Sequence, residues 1–436
     1  MIELTPWAIG WICIAVVFVL LIIGIPVAIA LAVVGFLGFW AINGLEPALG
    51  IIALVPYSSV SVYALSVIPF FILMGNVAYH GGFGADIFRM AQNWLARIPG
   101  GLAHATVVGC AVFGAICGSG LAGAATMGRI AIPELFKHGY DRALSIGTVA
   151  ASGTLAQMIP PSVLMVVYAL ITNQSVGKML IAGIVPGILT ATSYSLMIAL
   201  RIKRNPELGP AIASVSMADR MQSTRDIWPI LILIVIVVGG IYTGLFTPTE
   251  AAGVAASVIL LLGFVLRRMN YRKLIDSVTE TMRVNAMLFL IMAAANIFGV
   301  VLATSRIPNT LSDVITQLDL PPFLVLCGIM GMYLVLGTFF DMLAAMFITL
   351  PIIFPLVIKL GYDPIWFGVL IVHLCQVALI TPPYGLNLFI LKSVAPNATM
   401  REVIRGATWF ILMDVIVLII YMVFPQVILF LPHSMD

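Results

Sequence analysis

Apolar positions in this chain gather into blocks of about 17 to 25 residues that recur from Trp7 to Leu431, and a helix needs roughly 20 to cross the hydrocarbon of a bilayer. The pattern predicts an all-α polytopic membrane protein with no stretch left over for a soluble domain. The first block lacks a basic leader and is followed by further blocks, so it is expected to be a span and not a cleaved signal peptide. Two stretches, 83–98 and 270–286, alternate polar and apolar residues with a helical period and are expected to lie along the membrane interface.

The blocks are arranged twice. A shift of 222 positions carries Gly139-Tyr140-Asp141 onto Gly361-Tyr362-Asp363, and the same shift carries Pro160-Pro161 onto Pro382-Pro383, Pro133 onto Pro355 and Pro26 onto Pro248. The chain therefore divides into a first repeat at 1–200, a polar linker at 201–228 and a second repeat at 229–436. Lysine and arginine are absent before Arg89 and after Arg405, and cluster at Arg201, Lys203, Arg204, Arg220 and Arg225. By the positive-inside rule the linker is expected in the cytoplasm and both termini outside. Each half then crosses an odd number of times, which makes the repeats inverted, an arrangement characteristic of secondary transporters.

Each half also breaks its own helices. Proline gives no N–H to the carbonyl four residues earlier, so Ile159-Pro160-Pro161-Ser162 is expected to free the carbonyls of Ala156 and Gln157. Likewise, Thr381-Pro382-Pro383-Tyr384-Gly385 is expected to free those of Ala378 and Leu379. The broken helices are placed at about 145–170 and 366–392. Such a break offers carbonyls to a cation and a helix N-terminus to an anion; the alternative is a kink capped by neighbouring helices. Ahead of each break, turn-forming residues interrupt a second block: Gly118-Ser119-Gly120 within 108–133, and Gly337-Thr338-Phe339-Phe340-Asp341 within 329–358. Both are read as re-entrant hairpins, and the common shift sets Ser119 opposite Asp341.

Asp341 is the charge that most changes the picture. No lysine or arginine lies between Arg306 and Lys359, and a carboxylate inside an apolar span marks an ion path. A bound Na⁺ is its expected partner, with Thr338 and Thr381 supplying further oxygens; a helix N-cap is the competing role. Ser119, Ser162, Gln157, His373, Gln376 and Tyr384 are the polar side chains expected to face a substrate. Glu250 completes a capping box with Thr247 and Pro248, and Arg129 with Glu134 is expected to form an interfacial pair. Composition agrees with the class: 62% of the 436 residues are hydrophobic and 9% charged. The net charge of +3 singles out no nucleic-acid partner, and the five cysteines, without a C-x-x-C pair, read as core residues.

These residues carry a resemblance to a known family. In "PFFILMGN" at 69–76, Gly118-Ser119-Gly120 with Ala122 and Gly128, "IPPS" at 159–162, "FTPTEAA" at 246–252 and "TPPYGLNLF" at 381–389, the chain resembles the large, DctM-like membrane subunit of tripartite ATP-independent periplasmic (TRAP) transporters. The resemblance spans nearly the whole chain. It implies a Na⁺-driven, elevator-type importer of carboxylate-containing solutes in a bacterial or archaeal inner membrane. It also implies two partners, a periplasmic substrate-binding protein and a small membrane subunit. The family's Na⁺ sites would map onto Gly118, Ser119 and Pro160, and onto Gly337, Thr338, Asp341, Thr381 and Pro382, with the freed Ala378 carbonyl beside the latter. No G-x-x-x-x-G-K-[ST] loop is present, so ATP is not the expected direct energy source.

Two other readings compete. A single-component Na⁺/dicarboxylate or arsenite-type transporter shares inverted repeats and hairpins, but would work without a binding protein. An intramembrane enzyme could be built on Ser119 in Cys117-Gly118-Ser119-Gly120 with His373 as base; however, Ser119 sits in a hairpin tip with no base assigned nearby, and no H-E-x-x-H is present.

Overall fold

A computed structural model describes residues 5–211, 215–395 and 397–435; residues 212–214 of the expected linker lie outside them. Among the described residues every regular element is helical. Among these described residues, seven helices are long and apolar enough to cross a membrane, or up to eight if Met217–Asp226 and Trp228–Tyr242, bent by 50°, count as one span.

The two hairpins are longer than their turn residues announced. The first pairs Gly101–Cys117 with Gly120–Lys137, and the second pairs Pro322–Phe339 with Met342–Lys359. The offset that relates Ser119 to Asp341 also relates the second arms of the hairpins at both ends. The first broken helix runs Arg142–Thr154, a tight turn Leu155–Gln157, then Val163–Ile171. The second runs Pro364–Ile380, then Leu386–Val394. Both double prolines have a cis peptide bond between them.

Apart from Pro322–Phe339 and Leu386–Val394, where most residues are not buried, these four elements carry much of the core. Every residue from Ile365 to Ile380 is buried, whereas Leu45–Val60, at the periphery, buries only Ala48 and Ser59. Close approach needs small residues: a Cβ on Gly147 would lie 2.3 Å from the Gly406 carbonyl carbon, so the first broken helix and Met400–Val423 touch backbone to backbone. Asn387, just past the second break, donates through Nδ2 to the Ala150 carbonyl at 3.2 Å and ties one broken helix to the other.

Around this block, Tyr271–Thr304 forms a single helix of 34 residues. The stretch 270–286 is thus continuous with a span and is not a separate interfacial helix; its polar residues Ser277, Thr281 and Asn285 are buried against neighbouring helices. Asn76 donates to Thr281 Oγ1 at 2.9 Å, a tertiary partner that satisfies polarity the pattern assigns to water. The other amphipathic stretch does form its own helix, Phe83–Leu95, burying Phe83, Ile87, Phe88 and Ala91. From its polar face Arg89 bonds Asp86 at 2.7 Å and Asp226 at 3.0 Å. Trp94 Nε1 donates to Thr224 Oγ1 at 2.7 Å. The linker is therefore partly helical, at Met217–Asp226, and docked. Glu250 accepts from the Thr247 backbone N–H at 2.9 Å while Thr247 Oγ1 accepts from the Glu250 N–H at 3.3 Å, the expected capping box.

Candidate functional site

The first hairpin turns at Gly118, whose φ of +62° is the left-handed region that glycine enters without a Cβ penalty. A Cβ there would stand 2.3 Å from the Pro161 carbonyl oxygen. The Val163 N–H donates to the Gly118 carbonyl at 3.3 Å, which joins this tip to the first break. Ser119 then caps the next helix, its Oγ accepting from the Ala122 N–H at 3.4 Å. At the second tip Asp341 takes that capping position, Oδ1 accepting from the N–H groups of Leu343 at 3.0 Å and Ala344 at 3.3 Å. The N-cap role is therefore real, and the exposed carboxylate also opens onto a cavity.

That cavity, of about 460 Å³, is lined by both tips: Gly118, Ser119 and Gly120 from the first, Asp341, Met342 and Leu343 from the second. Gln157 and Leu379 reach it from the two breaks, and Arg129, Tyr79 and Glu280 line it as well. Arg129 is nine residues beyond Gly120 on one helix, about 14 Å along its axis. Its Nη1 donates to Tyr79 Oη at 3.0 Å. An anion in this space would meet a guanidinium toward one end; a cation would meet a carboxylate and a hydroxyl at the tips.

Several expectations are corrected. Arg129 does not pair with Glu134, whose Oε1 lies 3.4 Å from Lys137 Nζ and 3.5 Å from His138 Nδ1. Five residues apart on a helix, Arg129 and Glu134 face different ways, and the spacing of Ala122, Thr126 and Arg129 is the signal that places Arg129 on the cavity face. His373 and Gln376 do not line the cavity. His373 Nε2 donates to the Asp414 carbonyl at 3.0 Å and Gln376 Nε2 to Tyr194 Oη at 2.9 Å, in a buried polar cluster. Helix Pro364–Ile380 is buried on every side, so nothing in its pattern distinguishes a cavity face from a packing face. The Ala378 carbonyl is not free either, for the Thr381 N–H turns back onto it at 3.2 Å.

The remaining predicted residues sit behind or beside the cavity. Ser162 is buried and caps Val163–Ile171 through Met165 N–H at 3.3 Å. Tyr384 is 57% exposed, its ring 5.7 Å from that of Phe339. Gly337 and Thr338 end the first arm of the second hairpin, Thr338 Oγ1 donating to the Val335 carbonyl at 2.8 Å. Thr381 and Pro382 are half-buried at the second break, and Pro160 is buried at the first. All five cysteines are free thiols, Cys327 half-buried and the others buried.

Comparison with known proteins agrees with this architecture. The chain is 39% identical over 373 residues to a C4-dicarboxylate TRAP transporter large permease protein of Pseudomonas aeruginosa, covering 85% of this chain and 86% of that one. It is 34% identical over 411 residues to the isethionate TRAP transporter permease protein DctMQ of Oleidesulfovibrio alaskensis, covering 94% of this chain and 64% of the relative. It is 31% identical over 377 residues to the sialic acid TRAP transporter permease SiaT of Haemophilus influenzae, covering 86% and 61% respectively. The YdaH transporter of Alcanivorax borkumensis shares the fold, with a TM-score of 0.60 at 15% identity over 87% of this chain and 89% of that one. The three sequence relatives are named as transporter permeases and not as enzymes, and His373 does not line the cavity that Ser119 lines. With residues 14–427 matching the family described as "Tripartite ATP-independent periplasmic transporter, DctM component", the chain belongs to that family and is a large permease component of a TRAP transporter.

Proposed function

We propose that this permease imports carboxylate-containing solutes with Na⁺ as the coupling ion, drawing them from a periplasmic binding protein and working with a small membrane subunit. The observation that carries the reading is the cavity itself, where two hairpin tips distant in sequence meet around Asp341 and Ser119 with Arg129 on the same wall. Na⁺ is held by oxygen ligands at the second tip, Asp341 foremost, with Thr338 and Thr381 hydroxyls near the same turn. A cation there neutralises the carboxylate and stiffens the tip. The substrate carboxylate meets the Arg129 guanidinium, and Gln157 and Ser119 bond its other polar groups.

The hairpins and broken helices then move together as an elevator against a frame that includes Tyr271–Thr304. That reading is supported by the bonds that knit the block, Gly118 to Val163 and Asn387 to Ala150. We assign the linker to the cytoplasm and the termini to the periplasm of an inner membrane, from the clustering of basic residues. The two halves, 1–200 and 229–436, are taken as inverted repeats on the same ground. Relatives named for C4-dicarboxylates, sialic acid and ectoine support a carboxylate as the recognised group, while the relative named for isethionate, a sulfonate, supports only an anionic one; that longer DctMQ relative also supports a small membrane partner.

The test is uptake into proteoliposomes holding this chain and its small subunit, with and without binding protein, under an inward Na⁺ gradient. Uptake that needs both, and that is lost in folded Asp341→Asn, is expected. Uptake without the binding protein would favour the single-component reading, and an unchanged variant would move the Na⁺ site elsewhere.

A further inference from the structure

Asp414 is the one charged residue between Arg405 and the end of its helix at Val423, and its side chain is completely buried. Oδ1 accepts from Tyr194 Oη at 2.6 Å and from Gln376 Nε2 at 3.5 Å, while Oδ2 has no partner among the described residues. Three helices bring ionisable side chains to this cluster, and Leu386–Val394, also packed on Asp414's helix, carries Lys392, whose Nζ donates to the Ala398 carbonyl. Ile184–Arg204 contributes Tyr194, Pro364–Ile380 contributes His373, and Met400–Val423 itself contributes Tyr421, whose ring stands edge-on to His373 at 5.2 Å. The first broken helix brings hydroxyls, Ser152 and Thr154, and its Arg142 lies 3.9 Å from Glu402 at the start of Asp414's own helix. Arg201, on the helix of Tyr194, stands over the Trp409 ring, and among the described residues no lysine or arginine bonds the Asp414 carboxyl group.

An ionised carboxylate with one oxygen undonated and no cation beside it is among the costliest arrangements a protein interior can hold. A sodium ion would need several free oxygens. Here Tyr194 and Gln376 aim O–H and N–H groups at Asp414, and the unpartnered oxygens left over are Oδ2, Gln376 Oε1 and the Ser152 hydroxyl. A proton on Oδ2 requires none of them.

We propose that Asp414, set between Tyr194 and Gln376, is a proton-binding site that keeps the block of broken helices neutral, and that release of this proton sets an alkaline limit on transport. Losing the proton leaves a bare charge where Met400–Val423 packs on the broken helices, and the block loosens. The site is separate from the cavity at the hairpin tips and does not depend on which solute is carried.

The test is infrared spectroscopy of the chain with its small subunit in liposomes, titrated from neutral to alkaline pH alongside uptake. The wild type is expected to show the carbonyl stretch of a protonated carboxylic acid, absent from Asp414→Asn. That band should fade over the pH interval in which wild-type uptake falls, an interval in which the variant's uptake has lost its pH dependence. Tyr194→Phe takes away the shorter of the two hydrogen bonds to Oδ1, so its band should fade over a different pH interval; this arm stands even if Asp414→Asn misfolds. A carboxylate spectrum at neutral pH, a band displaced by added Na⁺, or a fade unmoved by Tyr194→Phe would each overturn the proposal. Because the spectrum needs no transport, failure of the proposed import function would leave this result readable.

Discussion

The two hairpin tips stand at equivalent places in the chain, yet they are held in opposite ways. At the first, Pro160, Pro161 and Ser162 are buried, Gly118 has no room for a Cβ against Pro161, and a backbone hydrogen bond closes the contact. At the second, Gly337 meets the Ala378 side chain with as little room for a Cβ, but Pro383 and Tyr384 are exposed and rings make the other contacts, Phe339 with Tyr384 and Phe340 with Phe18, at 5.7 and 5.6 Å. Backbone contacts without slack break only as a unit, whereas aromatic contacts slide and re-form at little cost. The comparison assigns rigidity to the first tip and adjustment to the second, where the carboxylate is.

The largest effect is expected where the tips differ in charge. Asp341→Asn keeps a capping oxygen but removes a charged ligand, so Na⁺ affinity should fall about ten- to a hundredfold. Uptake titrated against Na⁺ measures it, and an unchanged midpoint would erase the distinction between the tips. Next, Gly118→Ala forces a side chain into left-handed backbone, at about 1–2 kcal/mol, and into the Pro161 carbonyl besides. Thermal unfolding in detergent should therefore show a larger loss than Phe339→Ala, which gives up about 0.5–1.5 kcal/mol of ring contact; the reverse order would mean that the second tip is the rigid one. Arg129→Gln sharpens the comparison from the cavity wall: a rise in substrate KM with unaltered Na⁺ dependence is expected, separating the anion's partner from the cation's. Smallest is Ser119→Ala, which costs about 1 kcal/mol as a lost cap and should leave Na⁺ activation in place; strong loss of activation would put the ion at both tips alike.

Much of the cavity is legible in the sequence. Proline at 160, 161, 382 and 383 removes donors wherever it falls, and Gly118-Ser119 and Phe340-Asp341 interrupt apolar blocks in equivalent positions, so the breaks and tips follow from local chemistry. Arg129 was misassigned because its charge invited a partner nearby in sequence, while the one it has, Tyr79, sits 50 residues away. His373 and Gln376 drew attention as polar residues ahead of a break, but on a helix buried all round polarity marks only that some partner exists.

By itself, then, the sequence determined an all-helical membrane protein, a chain laid out twice with a common offset, and the four places where its helices stop. Those features depend on groups within a few residues of one another. Tertiary structure alone decided which polar side chains face the cavity and which face each other: Arg129 toward Tyr79, Asn76 toward Thr281, Gln376 toward Tyr194 and Asp414. It also made one continuous helix of Tyr271–Thr304. In a bilayer the contrast between water and core that gives soluble helices a readable face is missing, so the inward side of a span is set by the helices that come to pack against it.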